Sequence, residues 1–243
     1  MILIGIDCAV DRRMTGMALG ETAGDRLIIQ QGMTGARVDV AGQVAAWLPA
    51  DQPALLCMDA PLGWPSALGR ELNLHSAGNA LNAAPDQLFT RQTDRVVRQR
   101  TGKRPLDVGA NLIARTAYAA LDLLQQLREI TGQEIPLAWD PGRIEATEAI
   151  EVYPAATLAV RGLQSSGYKA KTAQETRSQL AEQISREIDL ASVVDPIRYS
   201  DHVFDAVLCV LAGADFLSGH CMRPEDPDLA RREGWIWVRD PEG

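Results

Sequence analysis

The sequence predicts an α/β fold in which a mixed β-sheet is flanked by helices. Short apolar runs that end at acidic residues, such as ILIGIDC at residues 2–8, are typical of buried strands. Two neighbouring short segments joined by a tight turn predict a β-meander. Longer segments with apolar residues at helical spacing predict helices. The predicted order is three strands, a helix, a strand and then mainly helices.

The first four strands and the first helix are predicted from residues 2–63. After the strand at residues 2–8, RMTGMALGE and DRLIIQQGM predict a meander around a turn at residues 23–25. VDVAGQVAAWL then has the apolar spacing of a helix. ALLCMDAPLG predicts a second buried strand, which ends because Pro61 and Gly63 follow it.

The middle of the chain predicts an insertion followed by a long helix. Residues 64–108 have mixed polarity with several Gly and Pro, which indicates an inserted segment with two short helices over the sheet edge. Insertions of this length usually carry function. Residues 110–131 predict the strongest helix, because they carry an apolar stripe. Its members are Leu112, Ile113, Ala117, Ala120, Leu121, Leu124 and Leu127.

The last third of the chain predicts two strands and two helices. AIEVY predicts a third buried strand that Pro154 ends. Residues 172–188 predict an amphipathic helix and residues 201–218 an apolar one, and GWIWV predicts a terminal strand.

The composition predicts one globular domain over residues 1–243, with 46% hydrophobic and 23% charged residues. The apolar start is too short to span a membrane and has neither a basic region nor a cleavage site, so secretion is not expected. The four cysteines lie far apart, which favours core packing and a reducing compartment. We therefore expect a soluble cytoplasmic protein with no membrane partner.

The charge distribution limits how the protein binds nucleic acid. A net charge of −8 argues against coating nucleic acid through overall charge, because phosphate binding needs a positive surface. Local binding stays open, because one basic run stands out. It consists of Arg91, Arg95, Arg98, Arg100, Lys103 and Arg104. The alternative for this run is a solvated basic helix.

Three acidic residues lie at or near the carboxyl ends of predicted strands: Asp7, Asp59 and Glu151. In open α/β sheets this edge binds ligands. If the strands are parallel neighbours, the carboxylates crowd together, and such close like charges need a cation or a proton. Oxygen ligands favour Mg²⁺ or Mn²⁺. For any single acid, a turn or capping role is the alternative.

The apolar helix DHVFDAVLCVLAGADFL adds two further acids. Asp201 and Asp205 are four residues apart and share a helix face. Asp201 follows Ser200 and suits a helix N-terminus. Asp205 lies one turn inside the helix, where a carboxylate needs a partner, either a buried arginine or a metal ion. The neighbouring His202 is interpreted as a surface or capping residue, with a ligand or general base as the alternative.

Six segments occur in an order that resembles a known family. They are GIDCA, MDAPLGWP, RQTDR, EVYPAA, DHVFDAVLCVLAGA and EGWIWV. Together they span nearly the whole chain and resemble domain of unknown function 429, a family described as predicted nucleases. The resemblance implies a ribonuclease-H-like fold, in which three antiparallel strands are followed by parallel strands.

The resemblance also implies a catalytic site. Asp7, Asp59 and Asp205 match its acids, with Asp201 as an additional ligand and Glu151 as the acid of a Tyr-Pro motif. Ribonuclease H itself has a glutamate on the helix after the third strand, where this chain carries only Asp39. The implied site is therefore closer to that of Holliday-junction resolvases and integrases, which do without this glutamate.

The implied activity is that of a metal-dependent nuclease. Water would attack a phosphodiester with the help of two Mg²⁺ or Mn²⁺ ions held ~3.5–4 Å apart. Arg91, Arg95 and Arg98 would contact the phosphate backbone. Nucleic acid is then the expected partner, and a homodimer is left open because resolvase-like enzymes often pair.

Two other functions are open at this stage. A Mg-ATP phosphotransferase of the sugar-kinase, actin and chaperone class needs a small-residue turn soon after its first aspartate. Here CAVDRRMTG follows Asp7, and the first glycine is Gly16. A non-catalytic protein that binds nucleic acid or another partner is the second alternative, because a fold does not fix a function.

Overall fold

A six-stranded mixed sheet lies at the centre of the fold. The computed structural model describes residues 1–24, 26–109 and 111–242. The strands are β1 (Ile2–Asp7), β2 (Gly16–Ala23), β3 (Arg26–Thr34), β4 (Ala54–Asp59), β5 (Glu148–Glu151) and β6 (Ile188–Asp189). Their order across the sheet is β5-β4-β1-β2-β3-β6.

The strand directions confirm the predicted mixed sheet. β1, β2 and β3 are antiparallel neighbours, whereas β4 is parallel to β1 and β5 is parallel to β4. In the parallel pair of β1 and β4, Asp7 lies directly beside Asp59. The short strand β6 pairs in parallel with β3 and was not predicted, because two residues are too few to give an apolar pattern.

The six predicted helices are present, and the described residues hold four further α-helices. They are α1 (Val40–Trp47), α2 (Ser66–Leu72), α3 (Pro85–Phe89), α4 (Gln92–Thr101), α5 (Asn111–Thr131), α6 (Pro154–Ala159), α7 (Gln174–Ile184), α8 (Val194–Tyr199), α9 (Asp201–Leu217) and α10 (Pro227–Glu233). The insertion holds three helices, α2 to α4, where two were predicted. Residue 110, the predicted start of α5, lies outside the described residues, and Leu112 of the predicted stripe is exposed.

The terminal GWIWV segment was predicted as a strand, but within the described residues it forms one isolated bridge and no strand. Ile236 forms one parallel bridge with Glu151. The backbone N–H of Ile236 donates to Thr93 Oγ1 at 2.8 Å, so the ladder with β5 does not continue. Trp235 and Trp237 are buried and join an apolar cluster with Phe216.

The two faces of the sheet carry different helices. Leu3 of β1 packs in one apolar cluster with Phe204 and Val207 of α9. Ile4 and Ile6, which point the other way, pack in a second cluster with residues of α1 and α5. No helix within the described ranges is long and apolar enough to cross a lipid bilayer.

Candidate metal centre

Three aspartates meet at the carboxyl end of β1 and β4. Asp7 ends β1, Asp59 ends β4, and Asp205 lies in the second turn of α9. One carboxylate oxygen from each lies within 4.8 Å of the other two. The structure therefore brings together three of the five acids that were predicted from the sequence to form the site.

Two glycines allow α9 to approach the sheet closely enough for this meeting. A Cβ added to Gly5 of β1 would lie 1.9 Å from the carbonyl oxygen of Ala206. A Cβ on Gly16 of β2 would lie 1.9 Å from the carbonyl oxygen of His202. Because the helix backbone occupies the space of these two side chains, Asp205 reaches the strand ends.

Burial and crowding disfavour the ionisation of Asp59 and Asp205. Burial raises the pKa of Asp59 well above its ordinary value, and the charges of Asp7 and Asp205 raise it further, against the opposing effect of Lys169. Burial raises the pKa of Asp205 to about 6, again against Lys169. A cation placed among these oxygens would relieve both penalties.

Lys169 and Tyr168 bind Asp205, and neither residue was predicted from the sequence to belong to the site. The Lys169 ammonium lies 2.5 Å from Asp205 Oδ2, and the Tyr168 hydroxyl donates to Oδ1 at 2.8 Å. Burial lowers the pKa of Lys169, but Asp205 and Asp59 outweigh it and hold this pKa above its ordinary value. These residues lie outside any helix or strand, so no periodic pattern indicated them. Asp205 thus has a lysine partner and not the arginine that was considered.

Arg177 of α7 holds the segment that carries these two residues. Its guanidinium is buried and donates to the carbonyl oxygens of Tyr168 at 2.6 Å and of Ala170 at 3.1 Å. It also donates twice to the carbonyl oxygen of Arg198, just before α9. One buried side chain therefore connects the Lys169 segment to the start of the helix that bears Asp205.

His202 contacts the site, contrary to its interpretation as a surface or capping residue. Its Nδ1 lies 2.6 Å from Asp7 Oδ2. The hydrogen bond with Asp7 raises the pKa of His202, and the charges of Asp7 and Asp201 act in the same direction against burial. His202 therefore orients the Asp7 carboxylate.

Glu151 and Arg91 form a separate buried ion pair. Arg91 donates to both oxygens of Glu151, at 2.9 and 2.7 Å, and also to both oxygens of Asp94. Its side chain is only 1% exposed. The expected roles of Glu151 as a catalytic acid and of Arg91 as a phosphate contact do not fit this arrangement, because each group is occupied by the other.

The remaining predicted site residues are not members of the aspartate cluster. Asp201 is in the first turn of α9 and is not a member of the cluster. Arg95 is exposed on α4 and donates to the carbonyl oxygen of Thr90 at 2.8 Å. Arg98 is exposed on the same helix. A cavity of about 550 Å³ lies above Asp7 and Asp59, and neither arginine lines it.

The donor set fits a hard divalent cation. All three groups of the cluster are carboxylates, and oxygen ligands of this kind are those that Mg²⁺ and Mn²⁺ take in proteins. Two of the three have raised pKa values that a cation would lower again.

Comparison with known proteins places the chain in a family. A family model described as protein of unknown function (DUF429) matches residues 5–229. The chain belongs to this family. The match covers most of the chain and includes Asp7, Asp59 and Asp205. No curated protein and no solved structure matches the chain significantly.

Proposed function

We propose that this DUF429 protein is a divalent-metal-dependent nuclease that hydrolyses phosphodiester bonds. The observation that carries the proposal is the meeting of Asp7, Asp59 and Asp205 at the carboxyl edge of the sheet. This edge is where ligands bind in α/β sheets. The four cysteines are buried and free, which supports a reducing compartment such as the cytoplasm as the place of action.

The metal would be held by Asp7, Asp59 and Asp205, and Mg²⁺ or Mn²⁺ suits their oxygens. When bound, an ion of this kind would lower the pKa of its water and would stabilise negative charge on the leaving oxygen. His202 holds the Asp7 carboxylate, and the Tyr168 hydroxyl holds that of Asp205. These contacts fix the ligand oxygens before substrate arrives.

The reaction is a hydrolysis with a simple balance. A water oxygen forms a bond to phosphorus, the bond from phosphorus to one ester oxygen breaks, and that oxygen takes up a proton. The products are a phosphate monoester and an alcohol. Lys169 lines the cavity and its side chain is 54% exposed, so its ammonium is available to attract the anionic phosphate.

The test is a cleavage assay with matched variants. The full chain is incubated with Mn²⁺ and a panel of single-stranded and duplex DNA and RNA. We expect cleavage that EDTA stops and that Asp7→Asn slows by about 100-fold or more. The control is Asp51→Asn, because Asp51 is exposed in a turn before β4. Absence of cleavage in the wild type, or equal cleavage by Asp7→Asn, contradicts the proposal.

One observation favours a non-catalytic binding protein as the second candidate. The Lys169 ammonium already supplies a positive charge to Asp205, and a salt bridge of this kind relieves part of the repulsion without any metal. On this alternative, wild type and Asp7→Asn bind nucleic acid equally well and neither cleaves it.

A further inference from the structure

The cavity above Asp7 and Asp59 has the size of a small-molecule site. Its volume of about 550 Å³ lies within the range of roughly 300–1,000 Å³ that is typical of such sites. The ends of β1, β4 and β5 form its floor. Residues 104–106 of the insertion and the segment 165–169 form two of its walls.

Two hydrogen bonds hold these walls in place. Lys103 Nζ donates to the carbonyl oxygen of Ser165 at 3.3 Å, which joins the insertion to the opposite segment. The Tyr153 hydroxyl donates to the carbonyl oxygen of Arg104 at 3.4 Å, which joins the insertion to the floor. Because the walls are tied to each other and to the floor, the width of the cavity is limited.

The walls combine apolar surface with positive charge. Pro105, Leu106 and Ile113 line the cavity, and Leu106 is 70% exposed although it is large and apolar. Arg104 and Lys169 bring cationic groups to the same space. A nucleotide has the matching parts, since its base presents a flat and largely apolar face and its phosphate is anionic.

The residues around the cavity do not suit the binding of a nucleic-acid duplex away from its ends. Duplex binding depends on many cations that follow the backbone phosphates. The net charge is −8. Arg91 lines the cavity, but its charge is paired with Asp94 and Glu151, and Arg95 and Arg98 do not line the cavity. The positive charge in the cavity is thus local and matches one or two phosphates.

We propose that the cavity takes the terminal nucleotide of a single strand. The ring lies against Pro105 and Leu106, and the phosphate lies near Arg104 and Lys169. The inference rests on the proposed function, since the phosphate then faces the aspartates that would hold the metal. It makes the protein a nuclease that needs a strand end.

The first test measures binding without cleavage. Thymidine 5′-monophosphate is titrated into the full chain with Mg²⁺ by calorimetry, beside inorganic phosphate. We expect phosphate to bind at least about tenfold more weakly, because it lacks the ring, and Leu106→Asp to weaken nucleotide binding by a similar factor. The control is Leu74→Asp, since Leu74 is 89% exposed and does not line the cavity. Equal binding of phosphate and nucleotide, or an unaffected Leu106→Asp, overturns the inference.

The second test separates this inference from the proposed function. A linear single-stranded oligonucleotide and its circular form are incubated with the protein and Mn²⁺. We expect the linear strand to be shortened from an end while the circle stays intact. Equal cutting of the circle overturns the inference and leaves the nuclease proposal standing. If neither is cut but nucleotide binding depends on Leu106, the nuclease proposal fails and the nucleotide site stands.

Discussion

The ammonium of Lys169 lies 2.5 Å from Asp205 Oδ2, so one carboxylate of the aspartate cluster already pairs with a cation of the chain itself. The same carboxylate accepts a hydrogen bond from Tyr168. A divalent ion held by the cluster would lie close to this ammonium and be repelled by it. We therefore expect Lys169 to stabilise the metal-free protein and to oppose metal binding.

Replacing Lys169 with methionine should affect metal binding and stability in opposite directions. The affinity for Mn²⁺ should rise by about tenfold, equivalent to 1.4 kcal/mol, because a repelling charge is gone. The melting temperature in EDTA should fall, because Asp205 is left buried without its cationic partner. Calorimetric titration and thermal unfolding measure the two effects.

The control for this variant is Lys171→Met. Lys171 is exposed two residues further along the chain and makes no ion pair within the described structure, so its replacement should change neither quantity. Weaker Mn²⁺ binding by Lys169→Met would show that the lysine assists the metal and would contradict this account.

The pKa of Asp205 predicts a pH-dependent stability in metal-free protein. Burial raises this pKa from 3.8 to about 6. Neutral Asp205 favours the folded state, and this contribution to stability is fully present below the pKa of Asp205 in the unfolded chain. It is lost as the pH rises through the pKa of Asp205 in the folded protein. Between about pH 4.5 and pH 7 in EDTA, the free energy of unfolding of the wild type should fall by about 2 kcal/mol relative to Asp205→Asn. Urea unfolding of both proteins at the two pH values measures this change. A difference in free energy of unfolding between them that is the same at both pH values would refute the prediction.

The ion pair of Arg91 and Glu151 predicts a large effect on stability. Arg91→Met leaves the carboxylates of Glu151 and Asp94 buried without their partner, which should cost about 3–5 kcal/mol in urea unfolding. The double variant Arg91→Met/Glu151→Gln should recover part of the loss, because one unpaired charge is removed. A single variant as stable as the wild type would mean that Arg91 is free to bind phosphate, as the sequence first suggested.

Much of the fold could be predicted because its strands and helices have clear periodic patterns. β1 and β4 are short apolar runs that each end at an aspartate, and α9 is almost continuously apolar. The GWIWV segment has the same apolar character but bonds through Thr93 in place of a full ladder. Only the tertiary arrangement decides which backbone groups pair, so this segment was wrongly predicted as a strand.

The aspartate cluster could be predicted because strand-end carboxylates in parallel strands share one edge. The partners of these acids could not be predicted from the sequence. Lys169 lies in an irregular segment 36 residues before Asp205 in the chain, and no local pattern connects the two. The charge of Arg91 is visible in the sequence, but its burial against Glu151 depends on a contact between residues 60 positions apart.

The most direct measurement is a Mn²⁺ titration of the wild type and of Asp7→Asn, Asp59→Asn and Asp205→Asn. Asp201→Asn is the matched control, because Asp201 precedes Asp205 by one turn of α9 and is not in the cluster. We expect the wild type to bind, each cluster variant to bind at least about tenfold more weakly, and Asp201→Asn to bind like the wild type. A wild type that binds no Mn²⁺, or an Asp201→Asn variant as impaired as the cluster variants, would contradict a metal site built from Asp7, Asp59 and Asp205.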